Sequence, residues 1–121
     1  MTRAERNRSV GEYGERLAAR HLVDGGMVLV DRNWRCVAGE IDLVLQEGDI
    51  LVFCEVKTRS SAAYGHPLEA VGRDKAARLR RLAAIWLDAH DVHARGLRID
   101  VVGVLLGDRG APQVDHLRGI G

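Results

Sequence analysis

Four charged side chains interrupt two stretches of this chain that otherwise have the composition of buried β-strands: Glu40, Asp42, Glu55 and Lys57. Their neighbours are mostly isoleucine, leucine, valine and phenylalanine. Burying a charge is costly unless it is paired or holds a metal ion. Clusters of this kind are typical of sites where a protein carries out chemistry. These four residues are therefore the first candidates for a functional site.

A turn at residues 48–49 separates the two stretches and predicts how they pair. If it is a two-residue hairpin loop, Asp42 lies directly opposite Glu55, and Glu40 lies opposite Lys57. Directly opposed residues share a face of the sheet, so the charges gather at one end of one face. A bulge or a longer loop would shift this register. Glu55 and Lys57 share a face in any register because they are two residues apart on one strand.

The same register divides the apolar residues between the two faces. It places Ile41, Leu43 and Leu45 on the face opposite the charges, because strand side chains alternate. It places Val44 and Phe53 on the charged face, beyond the charges themselves. Both faces are therefore expected to be covered.

Two opposed carboxylates would stand about 5 Å apart at their Cβ atoms. They repel each other unless one is protonated or a cation lies between them. Hard divalent cations, Mg²⁺ above all, prefer oxygen ligands and keep several waters. An adjacent ammonium group such as that of Lys57 can orient a water or stabilise a developing anion. This combination suits the hydrolysis of a phosphodiester.

These residues resemble a known family. An aspartate on one strand followed by Glu-x-Lys on the next resembles the PD-(D/E)xK nuclease superfamily. The segments GEIDL and FCEVKTR, with an early Gly-x-x-Gly-Glu helix and a late Arg-x-Asp-Val strand, are similar to the YraN-type family. That family comprises small bacterial proteins with a restriction-endonuclease-like core that resembles Holliday-junction resolvases. The resemblance runs from about residue 11 to about residue 104. It implies an α/β fold of order α-β-β-β-α-β, with a central mixed sheet flanked by helices.

The resemblance also assigns roles, residue by residue. Asp42 and Glu55, with the backbone carbonyl of Val56, would bind Mg²⁺ or Mn²⁺. Lys57 would be the catalytic lysine, and Glu15 would reach the same site from the first helix. Taken without the resemblance, Glu15 also fits a surface glutamate.

Positive charge is local rather than global, because the formal net charge is only +1. Arg59, Arg73 and Lys75 are the predicted contacts to nucleic acid, with DNA favoured over RNA. Lys75 would face a phosphate from the first turn of a helix, aided by the helix dipole. The alternative is that the basic helix is a solvated face and that the stem of Lys75 lies along the core edge. Only two of the 18 basic side chains, Lys57 and Lys75, are lysines, which indicates that both positions require a compact ammonium.

Residues 1–121 are expected to form one domain, with residues 1–8 as a flexible N-terminal arm. Ser9 is the predicted N-cap of a first helix that ends at Asp24 before a pair of glycines. The remaining predicted elements are a bent strand at 27–37, the two strands of the hairpin, a helix from 68 or 73 to 89, and a strand at 97–106.

Four features keep open roles. Loop 60–67 lies beside the predicted site, and its Tyr64 and His66 are candidates for contacting phosphate or base. Asp100 interrupts the last predicted strand; it pairs with Arg98 or with an arginine of another strand, or it supports the site. Neither Glu40 nor the C-terminal tail receives a role.

The chain has no apolar signal segment and no run of membrane-spanning length. It also lacks cysteine and histidine spacings typical of zinc sites. We expect a soluble cytoplasmic protein that does not interact with membranes.

Three functions compete at this point. The first is a metal-dependent endonuclease for structured or branched DNA, which the intact set of two acids and a lysine favours. The second is a non-catalytic module that binds nucleic acid or a protein partner on a nuclease-like fold. The third is a purely structural ion-pair network, which apolar surroundings make costly. Cutting a branched junction needs two active sites and would imply a symmetric homodimer.

Overall fold

The computed structural model describes residues 1–63, 65–70, 72–107 and 110–120. Its elements follow one another along the chain as α1 (Arg3–Asp24), β1 (Val28–Cys36), β2 (Gly39–Glu47), β3 (Ile50–Arg59), a one-turn 3-10 helix (Pro67–Ala70), α2 (Arg73–His90), β4 (Gly96–Leu105) and β5 (Gln113–Leu117).

The five described strands form one sheet in chain order. Strands β3 and β4 are parallel, with α2 in the connection between them, and the other neighbouring pairs are antiparallel. Helix α1 packs against one face of the sheet and α2 against the other. This architecture confirms the predicted α/β class with a mixed sheet flanked by helices. Strand β5 was not predicted. Among the described residues, no helix combines the length and apolarity needed to cross a bilayer.

Each face of the sheet has its own apolar core, and burial of these side chains from water is the main force that holds the layers together. The α1 core joins small residues of the helix to leucines and valines of the sheet: Ala18, Ala19, Leu22, Leu43, Leu45, Val52, Val102 and Val104. The α2 core contains the larger side chains: Ile41, Val44, Phe53, Leu79, Leu82, Trp86 and Ile99.

The predicted hairpin register is confirmed along the paired part of β2 and β3. Glu47 pairs with Ile50, and the ladder runs back to Leu43 opposite Cys54. Gly48 occupies the turn with φ 63°, a conformation that glycine adopts without strain. Beyond Leu43 the two strands part: among the described residues, β2 continues its pairing with β1, and β3 continues its pairing with β4. The ladder therefore ends just before the two charged pairs that the register predicted.

The predicted division of faces is wrong for Ile41. Its side chain packs in the α2 core with Val44, whereas Leu43 and Leu45 pack in the α1 core. Two residues three positions apart cannot share a face of a regular strand, so the alternation is broken between them. The break coincides with the point where β2 leaves β3. It turns Asp42 toward α1.

The beginning of α1 differs from the prediction. The helix starts at Arg3, and the Thr2 hydroxyl caps it by accepting a hydrogen bond from the Glu5 backbone N–H at 3.1 Å. Most of the predicted flexible arm is thus helical, and Ser9 lies inside the helix. Polar and basic residues here form two exposed helical turns, which hydrophobic periodicity cannot detect. The predicted C-terminal end is confirmed by the Gly25 cap.

Strand β1 carries the predicted irregularity. A bulge lies between Leu29 and Asp31, and Asn33 has φ 50°, a left-handed conformation that asparagine tolerates better than most residues. Asn33 falls between the positions that pair with Leu43 and Ile41, next to Asp42 on the neighbouring strand.

Candidate metal and nucleic-acid site

Three carboxylates gather where β2 leaves β3. Glu15 of α1 and Glu40 and Asp42 of β2 each place an oxygen within 4.8 Å of the other two. Glu40 also pairs with Arg35 of β1 at 3.1 Å. The structure therefore brings Glu15 close to Asp42, as expected from the sequence. Glu40, which received no role from the sequence, joins them because the break in alternation turns this end of β2 toward α1.

Asp42 is a half-buried member of this cluster. One of its oxygens accepts a hydrogen bond of 2.8 Å from the Val56 backbone N–H, which bridges the gap between the parted strands. Burial is the largest of the effects that raise the pKa of Asp42 to about 7; the negative charges of Glu15, Glu40 and Glu55 add to it, and the Val56 hydrogen bond opposes it. Near neutral pH this carboxyl group is about half protonated.

Glu15 also has a raised pKa, chiefly because of burial and then because of the charge on Glu40. A nearby positive charge on Arg32 and a hydrogen bond with the Asn33 side chain oppose this rise. The unusual backbone of Asn33 thus occurs where its side chain meets the acid cluster. The sequence signalled only a bend at this position.

Glu55 lies apart from these three acids, although it shares the same end of the sheet. Its Oε1 contacts Arg78 Nη2 of α2 at 3.3 Å. Its Oε2 is buried and has no hydrogen-bond partner among the described residues. The structure thus places Glu55 on the α2 side and Asp42 on the α1 side, close enough for the charge of one to raise the pKa of the other.

The two lysines of the chain meet beside Glu55. The Lys57 and Lys75 side chains lie close together, and both residues are half-buried. This contact with Lys57, together with burial, lowers the pKa of Lys75, while the charge on Glu55 opposes the effect. Lys75 therefore lies at the predicted site, on the face that Glu55 and Lys57 share.

The surface here forms two clefts that meet at Glu15 and Gly11. One, of about 410 Å³, runs along the end of β3 past Lys57 and Arg59. The other, of about 510 Å³, contains Asp42 and the rest of the acid cluster. Of the predicted nucleic-acid contacts, Arg59 lines the first cleft. Arg73 is exposed at the start of α2.

Loop 60–67 is tied to the far side of the sheet. His66 Nε2 lies 2.8 Å from Asp115 Oδ2 on β5, and its Nδ1 accepts a hydrogen bond of 3.1 Å from the Leu68 N–H. His66 therefore anchors the loop, a role that its sequence position did not reveal. Tyr64, the other candidate in this loop, lies outside the described residues.

An all-oxygen set of this kind fits a hard divalent cation. Carboxylates crowd at one point, one of them with a pKa near neutrality, and a buried oxygen of Glu55 lacks a partner in the described part of the chain. A cation at the acid cluster would relieve the repulsion, and one that Glu55 also reached would satisfy its buried oxygen. The residues present therefore fit Mg²⁺ or Mn²⁺.

Comparison with known proteins places this arrangement in a family. A model described as "Uncharacterised protein family UPF0102" matches residues 14–104, which is more than half of the chain. The chain belongs to the UPF0102 family. UPF0102 is the YraN family of the restriction-endonuclease-like superfamily, so the predicted resemblance is confirmed. The matched span contains Glu15, the acid cluster, Glu55, both lysines and Arg78.

Relatives named UPF0102 protein match nearly the whole chain. The one from Nocardioides sp. JS614 is 63% identical over 113 residues, covering 93% of this chain and 91% of its own. Those from Beutenbergia cavernae and Streptomyces griseus are 62% and 59% identical, each covering 93% of this chain and 96% and 95% of their own, respectively.

Proposed function

We propose that this UPF0102 protein is a metal-dependent endonuclease that hydrolyses phosphodiester bonds in structured or branched DNA. The observation that carries the proposal is the incompletely balanced charge where β2 and β3 part. Asp42 is driven toward protonation by burial and by its acidic neighbours, and one buried oxygen of Glu55 has no partner among the described residues. A structural network would have satisfied both groups, because unpaired buried polar atoms are costly.

Each residue of the site then has a role. Asp42 and Glu55, from the two sides of the gap, hold the cation together with the backbone carbonyl of Val56. The bound Mg²⁺ or Mn²⁺ would act as a Lewis acid on the phosphoryl oxygen and lower the pKa of a coordinated water. Lys57 orients the attacking water and stabilises the developing negative charge. Glu15 assists from α1, where Asn33 positions it.

Nucleic-acid binding falls to the basic groups around the clefts. Lys75, Arg59 and Arg73 contact backbone phosphates, which gives affinity with little sequence preference. Arg59 is in the cleft beside Lys57, and Lys75 contacts Lys57 directly. Binding is therefore expected to weaken steeply as the salt concentration rises.

The test is cleavage of a labelled panel of single-stranded, duplex, flap and four-way-junction DNA, with matched RNA, in Mg²⁺ or Mn²⁺. We expect cleavage by the wild type and none by Asp42→Ala or Lys57→Ala. The exposed Asp88→Ala on α2 serves as the control and should keep full activity. Full activity in Lys57→Ala would contradict the mechanism.

One observation favours a second function, a non-catalytic nucleic-acid-binding module. In this structure Glu55 forms an ion pair with Arg78, so its charge is already balanced on the α2 side, apart from the carboxylates on the α1 side. The same panel separates the two functions. Salt-sensitive binding without cleavage in the wild type and both variants would favour the binding module.

Cutting both strands of a junction requires two sites, so the proposal includes a symmetric homodimer on such a substrate. Sedimentation of the protein with and without junction DNA tests this part. The proposal places the protein in the cytoplasm, where nucleic acid and Mg²⁺ are both available.

A further inference from the structure

Asp100 shows how this protein satisfies a carboxylate that has only a structural role. It is fully buried, and Arg98 donates to both of its oxygens, from Nε at 2.8 Å and Nη2 at 2.9 Å. His116 Nε2 lies 2.7 Å from it, and the Gly119 N–H donates at 3.0 Å. This guanidinium contact is short and two-pronged, as strong arginine–carboxylate pairs are.

The pair of Arg78 with Glu55 has none of these properties. It has a single contact of 3.3 Å, which is longer than usual for a charge-assisted hydrogen bond. The second oxygen of Glu55 is buried and receives no donor from the described residues. The Glu55 side chain is only 11% exposed, whereas the Arg78 side chain is 48% exposed. The acid is thus enclosed, while its partner reaches solvent.

Neighbouring positive charges repel Arg78 and so weaken its ion pair with Glu55. Lys57 and Lys75 lie beside it, and the charge on Arg78 contributes to the lowered pKa of Lys75. Three cationic side chains therefore surround one enclosed carboxylate, and like charges at close range repel. Such a cluster is suited to accept a further anion, for which a backbone phosphate has the right charge and acceptor oxygens.

We propose that Arg78 holds the place of the metal ion at Glu55 and that loading of the metal site releases its guanidinium to bind a nucleic-acid phosphate. The inference rests on the proposed function and deepens it. A guanidinium and a divalent cation compete for the same carboxylate. A released Arg78 is one turn of α2 from Lys75, so it adds a phosphate contact at the predicted binding face.

Two opposite effects follow for Arg78→Gln. Because the Arg78 guanidinium no longer competes for Glu55, Mn²⁺ should bind about two- to five-fold more tightly, a factor that corresponds to the free energy of a partly exposed ion pair. Removing the released guanidinium should weaken DNA binding in the presence of metal. Because linkage is reciprocal, the factor by which metal strengthens DNA binding should fall toward one in the variant.

The experiment is isothermal titration of Mn²⁺ into wild type, Arg78→Gln and the control Arg81→Gln, which removes an exposed arginine one turn later on α2. Anisotropy of a labelled four-way-junction DNA, with and without Ca²⁺, measures the coupling. Arg78→Lys keeps the positive charge and should bind Mn²⁺ with intermediate affinity. Circular dichroism of each variant verifies that α2 is intact.

The outcomes separate the inference from the proposed function. Tighter Mn²⁺ binding in Arg78→Gln but not in Arg81→Gln, with reduced coupling to DNA, supports the inference. Equal or weaker Mn²⁺ binding in Arg78→Gln, in a wild type that binds the ion, overturns the inference and leaves the endonuclease proposal standing. Absence of Mn²⁺ binding in all variants overturns both.

Discussion

At the scale of single residues, burial and three neighbouring carboxylates set the protonation of Asp42. In the folded protein its pKa is raised from 3.8 to about 7, with burial as the first cause. In the unfolded chain the group has its ordinary pKa. Between these two values the folded state binds more protons than the unfolded state, so raising the pH destabilises the fold.

We therefore expect the free energy of unfolding of the metal-free protein to fall between pH 4 and pH 7. Asp42→Asn should remove this part of the pH dependence. At pH 8 the variant should be more stable than the wild type by up to about 4 kcal/mol, relative to their difference at pH 4. Urea denaturation in EDTA across this range measures both curves. If the stability of the two proteins varied with pH in parallel, the pKa of Asp42 would not be raised in the folded state.

At the scale of elements, α1 and β3 approach closely because Gly14 lies directly against Thr58. A Cβ at position 14 would clash with the Thr58 side chain, whereas a Cβ at Gly11, one turn earlier, would meet open space. This contact positions Glu15, the next residue of α1, beside the acid cluster. The Gly-x-x-Gly-Glu pattern of the sequence thus contains one glycine required for packing and one that is not.

Gly14→Ala should destabilise the protein by about 1–3 kcal/mol, because the helix or Thr58 must move. Gly11→Ala should instead stabilise it by up to about 1 kcal/mol, since alanine is the better helix former. Chemical denaturation of both variants tests the pair. We also expect Gly14→Ala to weaken Mn²⁺ binding, because Glu15 would be displaced. Unchanged stability in Gly14→Ala would contradict the close approach of α1 and β3.

At the scale of the whole molecule, Asp100 connects parts of the chain that are far apart in sequence. Its partner Arg98 also donates to Glu47 of β2 at 2.8 Å, and Arg118 of the tail donates to the same glutamate at 2.9 Å. The Ile120 N–H donates to the Ile99 carbonyl at 2.9 Å. The C-terminal tail is therefore fastened across β4 to the β2–β3 turn, and the open role of Asp100 is structural.

Asp100→Ala should lower the free energy of unfolding by about 3–5 kcal/mol, as removal of one partner from a buried charged pair does. Burial alone would raise the pKa of Asp100, but the donors Arg98, Gly119 and His116 outweigh it and lower the pKa. Its contribution is therefore present above the ordinary pKa and lost as the pH falls below it. Denaturation at pH 7 and pH 3 checks both statements, with Asp88→Ala as the control. A loss no larger than in the control would contradict the structural role.

Resemblance to a family supplied the class of fold. The sequence by itself determined the order of the predicted elements, the hairpin register as far as Leu43 and the identity of the charged residues. These features depend on turn residues, alternation and neighbours that are close along the chain. Even the meeting of Glu15 with Asp42 was predicted, although through resemblance to a family rather than through spacing.

Only the tertiary structure decided how the charges are divided. Whether Asp42 faces α1 or α2 depends on where β2 leaves β3, and the broken alternation at Ile41 follows from that separation. The pairing of Arg78 with Glu55 brings together residues 23 positions apart, through the packing of α2 on the sheet. Such contacts arise from the packing of helices on both faces, which no local pattern in the sequence encodes.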